Sequence, residues 1–266
     1  MSTTPAPVPR PRRRIVGVST KMYFSAARTA SFIDALLALL AAPDAHPLLD
    51  TIDIFLVPDH VALTTAVAQV AAARQTVLVG AQNCHTHDAG AFTGEVSPAV
   101  LAEVGCRLVE LGHAERRRWF GETDESTAGK AAAVVRNGMV PLVCVGEVTW
   151  GDGVAVAVEE VLGQVRSVLG VVPGDTEVVL AYEPVWAIGA SEPAPVAHVC
   201  EVVRRVRESD EVRGREGLTR IVYGGSAGPG LFARLGGEVD GLFLGRFAHE
   251  PGQFYKTICE VAEAPW

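Results

Sequence analysis

Short runs of Val, Ile and Leu alternate along the chain with longer Ala-rich stretches of helical spacing. Strands are predicted at Ile15–Ser19, Ile52–Val57, Thr76–Ala81, Leu108–Leu111, Val140–Val145, Val178–Tyr182, Arg220–Tyr223 and Gly241–Leu244. These runs are apolar on both faces, as parallel strands covered by helices should be. Helices are predicted at Ala26–Leu40, Val61–Ala73, Pro98–Val104, Ser126–Arg136, Val154–Leu169 and Val196–Arg207. A weaker helix follows Pro229, and a last one begins near Gln253. Strand–helix units in this number predict an α/β protein built as a single closed (β/α)8 barrel. The competing architecture is a doubly wound open sheet, but no Gly-rich fingerprint follows the first strand.

Length fits that picture, because 266 residues match one such barrel. The start, "MSTTPAPVPRPRRR", is rich in Pro and ends in a basic run, so residues 1–14 are expected to form a disordered tail. Residues 15–266 are expected to form the barrel domain. A formal net charge of −8 argues against a nucleic-acid partner. No run is long enough to span a bilayer, and the apolar segment after the arginines is cut short by Lys21, so no export signal forms. Five scattered cysteines, none in C-x-x-C spacing, suggest free thiols and a cytoplasmic setting.

Chemistry in such a barrel gathers where strands end and loops begin. Strand one ends in Ser19, Thr20 and Lys21, and strand three in Gln82, Asn83 and Cys84. Strand four reaches His113 and Glu115, strand five Glu147, and strand six Glu183. Strands seven and eight run into Gly224, Gly225 and Ser226, and into Gly245 and Arg246. Alone, each has an ordinary explanation: a solvated lysine, a structural histidine, a tight glycine turn. Together, a cation, an imidazole and a carboxylate converge on one barrel mouth beside two glycine turns. That set suits proton transfer next to a carbonyl in a phosphorylated substrate. Glu183 would act as general base, His113 would polarise the carbonyl oxygen, and Lys21 would supply fixed positive charge. Backbone N–H groups at Gly189, Ser226 and Gly245 would cradle phosphate. The stretch "PVWAIGA" after Glu183 reads as an apolar lid that excludes water. No metal or other cofactor is needed for this chemistry.

The motifs "GAQNC", "GAFTGEVSP", "LGHAERR", "FGETDE", "CVGE", "AYEPVWAIG", "YGGS" and "VDG" occur in an order that resembles the triosephosphate isomerase family, from about Val16 to Leu244. The resemblance implies a TIM barrel and an aldose–ketose isomerase. It also implies that Lys21, His113 and Glu183 are catalytic and that Glu115 partners the lysine. Gly189, Ser226 and Gly245 match phosphate-contacting positions. The stretch "HTHDAGAFTGE" is similar to the loop by which the family dimerises, which implies a homodimer with Thr93 near the loop tip.

Four departures stand out. Ser19 and Thr20 replace the Asn-Trp that usually precedes the lysine, Ala114 replaces a serine, and "ASEPA" replaces the usual far lid hinge. Arg246 stands at the second glycine of the strand-eight turn, where it either pairs with phosphate or points to solvent. Ser19, smaller than an amide, leaves room at the substrate. The first reading, from the resemblance, is interconversion of dihydroxyacetone phosphate and glyceraldehyde 3-phosphate. Its rival is a paralogue that converts erythrulose 1-phosphate to erythrose 4-phosphate. A barrel that binds a sugar phosphate without turning it over is a third reading, opposed by the intact Lys21, His113 and Glu183.

Overall fold

Eight parallel strands pair in chain order, and the eighth returns to the first to close a barrel. The structure is a computed structural model that describes residues 13–42, 47 and 51–265. The strands are β1 (Arg14–Ser19), β2 (Ile52–Val57), β3 (Val77–Ala81) and β4 (Leu108–Leu111). They continue with β5 (Val140–Val145), β6 (Val178–Tyr182), β7 (Thr219–Gly224) and β8 (Gly241–Leu244). The expected (β/α)8 barrel is therefore what the chain forms.

Period-two alternation decides which side chains fill the barrel. Ile15, Phe55, Leu108, Leu142, Val179, Val222 and Phe243 point inward and pack as one cluster. The Phe55 and Phe243 rings meet at 5.5 Å across it. Their strand neighbours Val16, Leu56, Val109, Val143, Leu180 and Tyr223 point outward into a second, larger layer under the helices. Both faces of each strand are buried, which explains why the runs read as continuously apolar.

At the N-terminal ends of the strands, Arg220 lies buried inside the barrel. It donates to Asp53 at 2.6 Å and to Glu177. At this end the barrel is closed by charge pairing. Arg14 opens β1 and is also buried, donating to the carbonyls of Val261 at 2.8 Å and Ala264 at 2.6 Å. It ties the first strand to the last helix, Pro251–Glu263. The rest of the expected tail, apart from Arg13, lies outside the described residues.

The long helices Ala26–Leu40 and Val154–Leu169 match the periodicity to the residue. Three short ones, Ala114–Phe120, Asp210–Arg213 and Leu231–Arg234, complete the loops after β4, before β7 and after β7. Among the described residues, no helix is long and apolar enough to cross a membrane. All five cysteines are free, and burial pushes the Cys84 thiol up to about 12.

Candidate active site

His113 is fixed by the turn that begins the helix Ala114–Phe120. It occupies the N-cap, and its Nδ1 accepts the Glu115 backbone N–H at 3.1 Å. An accepting Nδ1 leaves Nε2 as the nitrogen that carries the proton in the neutral ring. That Nε2 stands 3.4 Å from Glu183 Oε2. Both side chains are buried, and Glu183 Oε2 accepts no hydrogen bond.

Glu183 follows β6 directly, so alternation from Val179 and Ala181 turns it into the barrel. Gly224 at the end of β7 makes room for it: a Cβ there would lie 2.3 Å from Glu183 Oε1. Any side chain at residue 224 would displace the Glu183 carboxyl.

Lys21 leaves β1 in a left-handed conformation, φ 46, which side-chain-bearing residues rarely adopt. Its Nζ donates to Glu115 Oε1 at 2.7 Å. Burial alone would lower its pKa. The hydrogen bond to Glu115 and the charges of Glu183, Glu115 and Glu110 outweigh that and hold the ammonium above its ordinary value. Glu115 answers in kind. Burial would raise it, but the Lys21 hydrogen bond and charge hold it below the usual carboxylate range.

Two connected spaces open onto these groups. The outer cavity, about 530 Å³, is lined by Lys21, Gly189, Gly225, Ser226, Gly245 and Arg246 among others. The inner chamber, about 30 Å³, is lined by Ser19, Lys21, Glu110, His113, Glu183 and neighbouring apolar residues. Lys21, Ile188, Gly225 and Gly245 border both. The residues expected to hold phosphate therefore share the outer space, and those expected to transfer protons share the inner one. Ser19, expected at the substrate, faces the inner chamber. Arg246 is exposed on the rim of the outer cavity.

The stretch after Glu183 lies over this mouth. Val185–Ala187 forms a 3-10 turn, and Gly189 has φ 75. The Ser226 hydroxyl donates to the carbonyl of Ala190 at 2.6 Å, and Ala194 N–H donates to the Tyr223 hydroxyl at 3.1 Å. Glu147, noted among the polar strand ends, does not face the mouth. It is buried behind the lid and accepts from Trp186 Nε1 at 2.9 Å and from the Tyr182 hydroxyl at 3.1 Å. His198 Nε2 lies 2.9 Å from the same carboxylate. Glu147 is therefore an anchor for the lid. A tilted contact between the Trp150 and Trp186 rings, with centroids 4.2 Å apart and planes at 41°, covers that anchor.

The sequence reading passed over Glu110. It lies within β4, two residues after inward-facing Leu108, so alternation places it inside the barrel. It is 4% exposed, and Ser19 Oγ donates to its Oε2 at 3.0 Å. Burial raises its pKa, with the charge of Glu183 adding to the effect.

A family profile described as triosephosphate isomerase matches residues 14–262. The L-erythrulose-1-phosphate isomerase of Pectobacterium atrosepticum is 46% identical over 257 residues, covering 94% of this chain and 96% of that protein. The protein of the same name from Mesorhizobium japonicum is 38% identical, covering 94% and 97%. The triosephosphate isomerase of Streptococcus pyogenes is 37% identical, covering 93% and 98%.

Proposed function

Because the chain belongs to the triosephosphate isomerase family of aldose–ketose isomerases, we propose that its own substrate is a four-carbon ketose phosphate, erythrulose 1-phosphate. The observation that carries this reading is the inner chamber. Serine stands where the family resemblance puts an amide, and a second polar side chain, Glu110, opens into the same space. The relatives named for L-erythrulose 1-phosphate, similar over nearly their whole length, support it.

The two substrates differ in one substituent. Dihydroxyacetone phosphate carries a phosphate-bearing carbon, a carbonyl carbon and then a hydroxymethyl carbon. Erythrulose 1-phosphate is the same array with one hydrogen on that last carbon replaced by CH2OH. The proton to be removed has the same relation to the carbonyl and the phosphate in both. The same three side chains can therefore act on either, and selection falls to the walls of the inner chamber.

The reaction proceeds as a two-stage proton transfer. Glu183 takes the proton from C3, and the electron pair forms a C2=C3 double bond. His113 gives its Nε2 proton to the C2 oxygen, making an enediol, with Lys21 stabilising the charge that develops. His113 then recovers a proton from the C3 hydroxyl while Glu183 delivers its proton to C2. The carbonyl has moved to C3. The phosphate ester on C1 prevents movement the other way, so one cycle yields a ketose phosphorylated at its far end. Erythrose 4-phosphate, the product expected from sequence, requires a second transfer to the terminal carbon.

The lid supports the same chemistry. An enediol beside a phosphate ester loses phosphate in water, and the apolar stretch closed by Ser226 and Tyr223 keeps water out. The exposed loop around Thr93 supports a homodimer. Side-by-side turnover of erythrulose 1-phosphate and dihydroxyacetone phosphate, followed by 13C NMR, tests the assignment. The expected kcat/KM ratio favours the tetrulose by about 100-fold or more. A ratio favouring the triose restores the three-carbon reading.

A further inference from the structure

We infer that Glu110 is a specificity-determining residue, accepting a hydrogen bond from the substrate's terminal C4 hydroxyl with Ser19 beside it. This rests on the four-carbon reading and deepens it.

The geometry leads there by position. Phosphate held in the outer cavity, at Gly225 and Gly245, directs the reacting carbons toward Glu183 and His113 in the inner chamber. The extra CH2OH hangs from the very carbon that Glu183 deprotonates, so it too lies in that chamber. The polar side chains lining it are Ser19, Lys21, Glu110, His113 and Glu183. Three of these are engaged with the proton, the carbonyl oxygen and the developing charge. Glu110 and Ser19 are left to meet the additional hydroxyl.

Glu110 also has accepting capacity that the protein leaves unused. It is 4% exposed, yet its only protein hydrogen bond among the described residues is the one from Ser19. Its carboxyl can accept more than that single bond. A buried carboxyl placed near Glu183 is costly for the fold, and the proton shuttle does not use it. A substrate hydroxyl would supply the missing partner. A triose, with hydrogen in place of CH2OH, would leave Glu110 with the Ser19 bond alone, and a site built to bond a substrate hydroxyl discriminates strongly against the analogue lacking it.

The test compares erythrulose 1-phosphate with its 4-deoxy analogue, in which CH3 replaces CH2OH. The wild type should prefer the hydroxylated compound in kcat/KM by about 100-fold. Glu110→Leu should reduce that preference below about 5-fold, and Glu110→Gln, which keeps an acceptor, should leave about 10-fold. Should the Leu variant fail to fold, the wild-type comparison and the Gln variant still decide. The proposal is overturned by a wild type indifferent to the hydroxyl, or by an undiminished preference in the folded variants. A wild type that turns over only dihydroxyacetone phosphate sinks the substrate assignment itself, and this proposal with it. Tetrulose turnover with the preference intact in Glu110→Leu removes the role of Glu110 alone.

Discussion

Single residues carry the chemistry here, and their surroundings set what each can do. Glu183 offers an unpartnered oxygen 3.4 Å from an imidazole nitrogen. Glu183→Gln should therefore lower kcat by about 10³-fold or more with little change in the affinity for a phosphate-bearing inhibitor. Unchanged turnover would remove it as the base. Glu110 adds a stability effect of predictable sign. Its folded pKa is raised, so the folded chain holds that proton longer than the unfolded chain does. Stability from this group is thus full at pH below the ordinary glutamate range. It falls as pH rises from that range to the raised folded value. Glu110→Gln should flatten that fall, seen as a smaller difference between melting temperatures at pH 4 and pH 8. An equal or larger difference would contradict it. Lys21, His113 and Glu183 were legible because each is a polar residue at the tip of an apolar run. Glu110 was not, because it sits inside such a run and only the inward parity from Leu108 reveals it. The same parity misplaces nothing about Glu147: Leu142 and Cys144 point inward, so residue 147 points out, toward the lid anchor.

At the scale of elements, the strands were the easiest features to read. β2, β4, β5, β6 and β8 run as the apolar pattern predicts, and the others differ by a residue at one or both ends. Arg14 extends β1 because its guanidinium donates to carbonyls at the end of the last helix and just beyond it, a contact 247 residues away that no local pattern contains. The helix Ala114–Phe120 escaped notice because it buries none of its residues, and so has no apolar stripe to detect. The lid depends on Trp186, which bonds to Glu147 and packs on Trp150. Trp186→Phe keeps the ring but loses the N–H donor. The expected result is a several-fold lower kcat together with inorganic phosphate released during turnover, measured by a colorimetric phosphate assay. Tight coupling with no phosphate release would show that the anchor does not govern closure.

The whole molecule brings distant parts of the sequence to one end of a closed ring. β1 and β8 must pair before Lys21 and Gly245 can border the same space. No stretch of the chain can build this site alone. At the opposite end, the pairing of Arg220 with Asp53 and Glu177 holds β2, β6 and β7 together. Loop changes at the mouth can therefore alter substrate choice while the closed ring persists. In the loop from His85 to Ser97, Thr93 is exposed, and the Phe92 ring packs at a tilt against His85 with centroids 4.1 Å apart. If this loop docks on a second copy, Thr93→Arg should convert a dimer into monomers by analytical ultracentrifugation and reduce activity. A variant that sediments as a dimer would show that this loop is not the contact.

Lys21 makes its ion pair from a left-handed backbone, φ 46, at a position that is not glycine. Such a conformation costs an L-residue about 1 kcal/mol or more that glycine would not incur. Lys21→Gly would relieve that cost, yet it would delete the ammonium group. Thermal adaptation must therefore come from elsewhere in the chain, and this one awkward bend marks a boundary between what makes the polypeptide durable and what makes it fast.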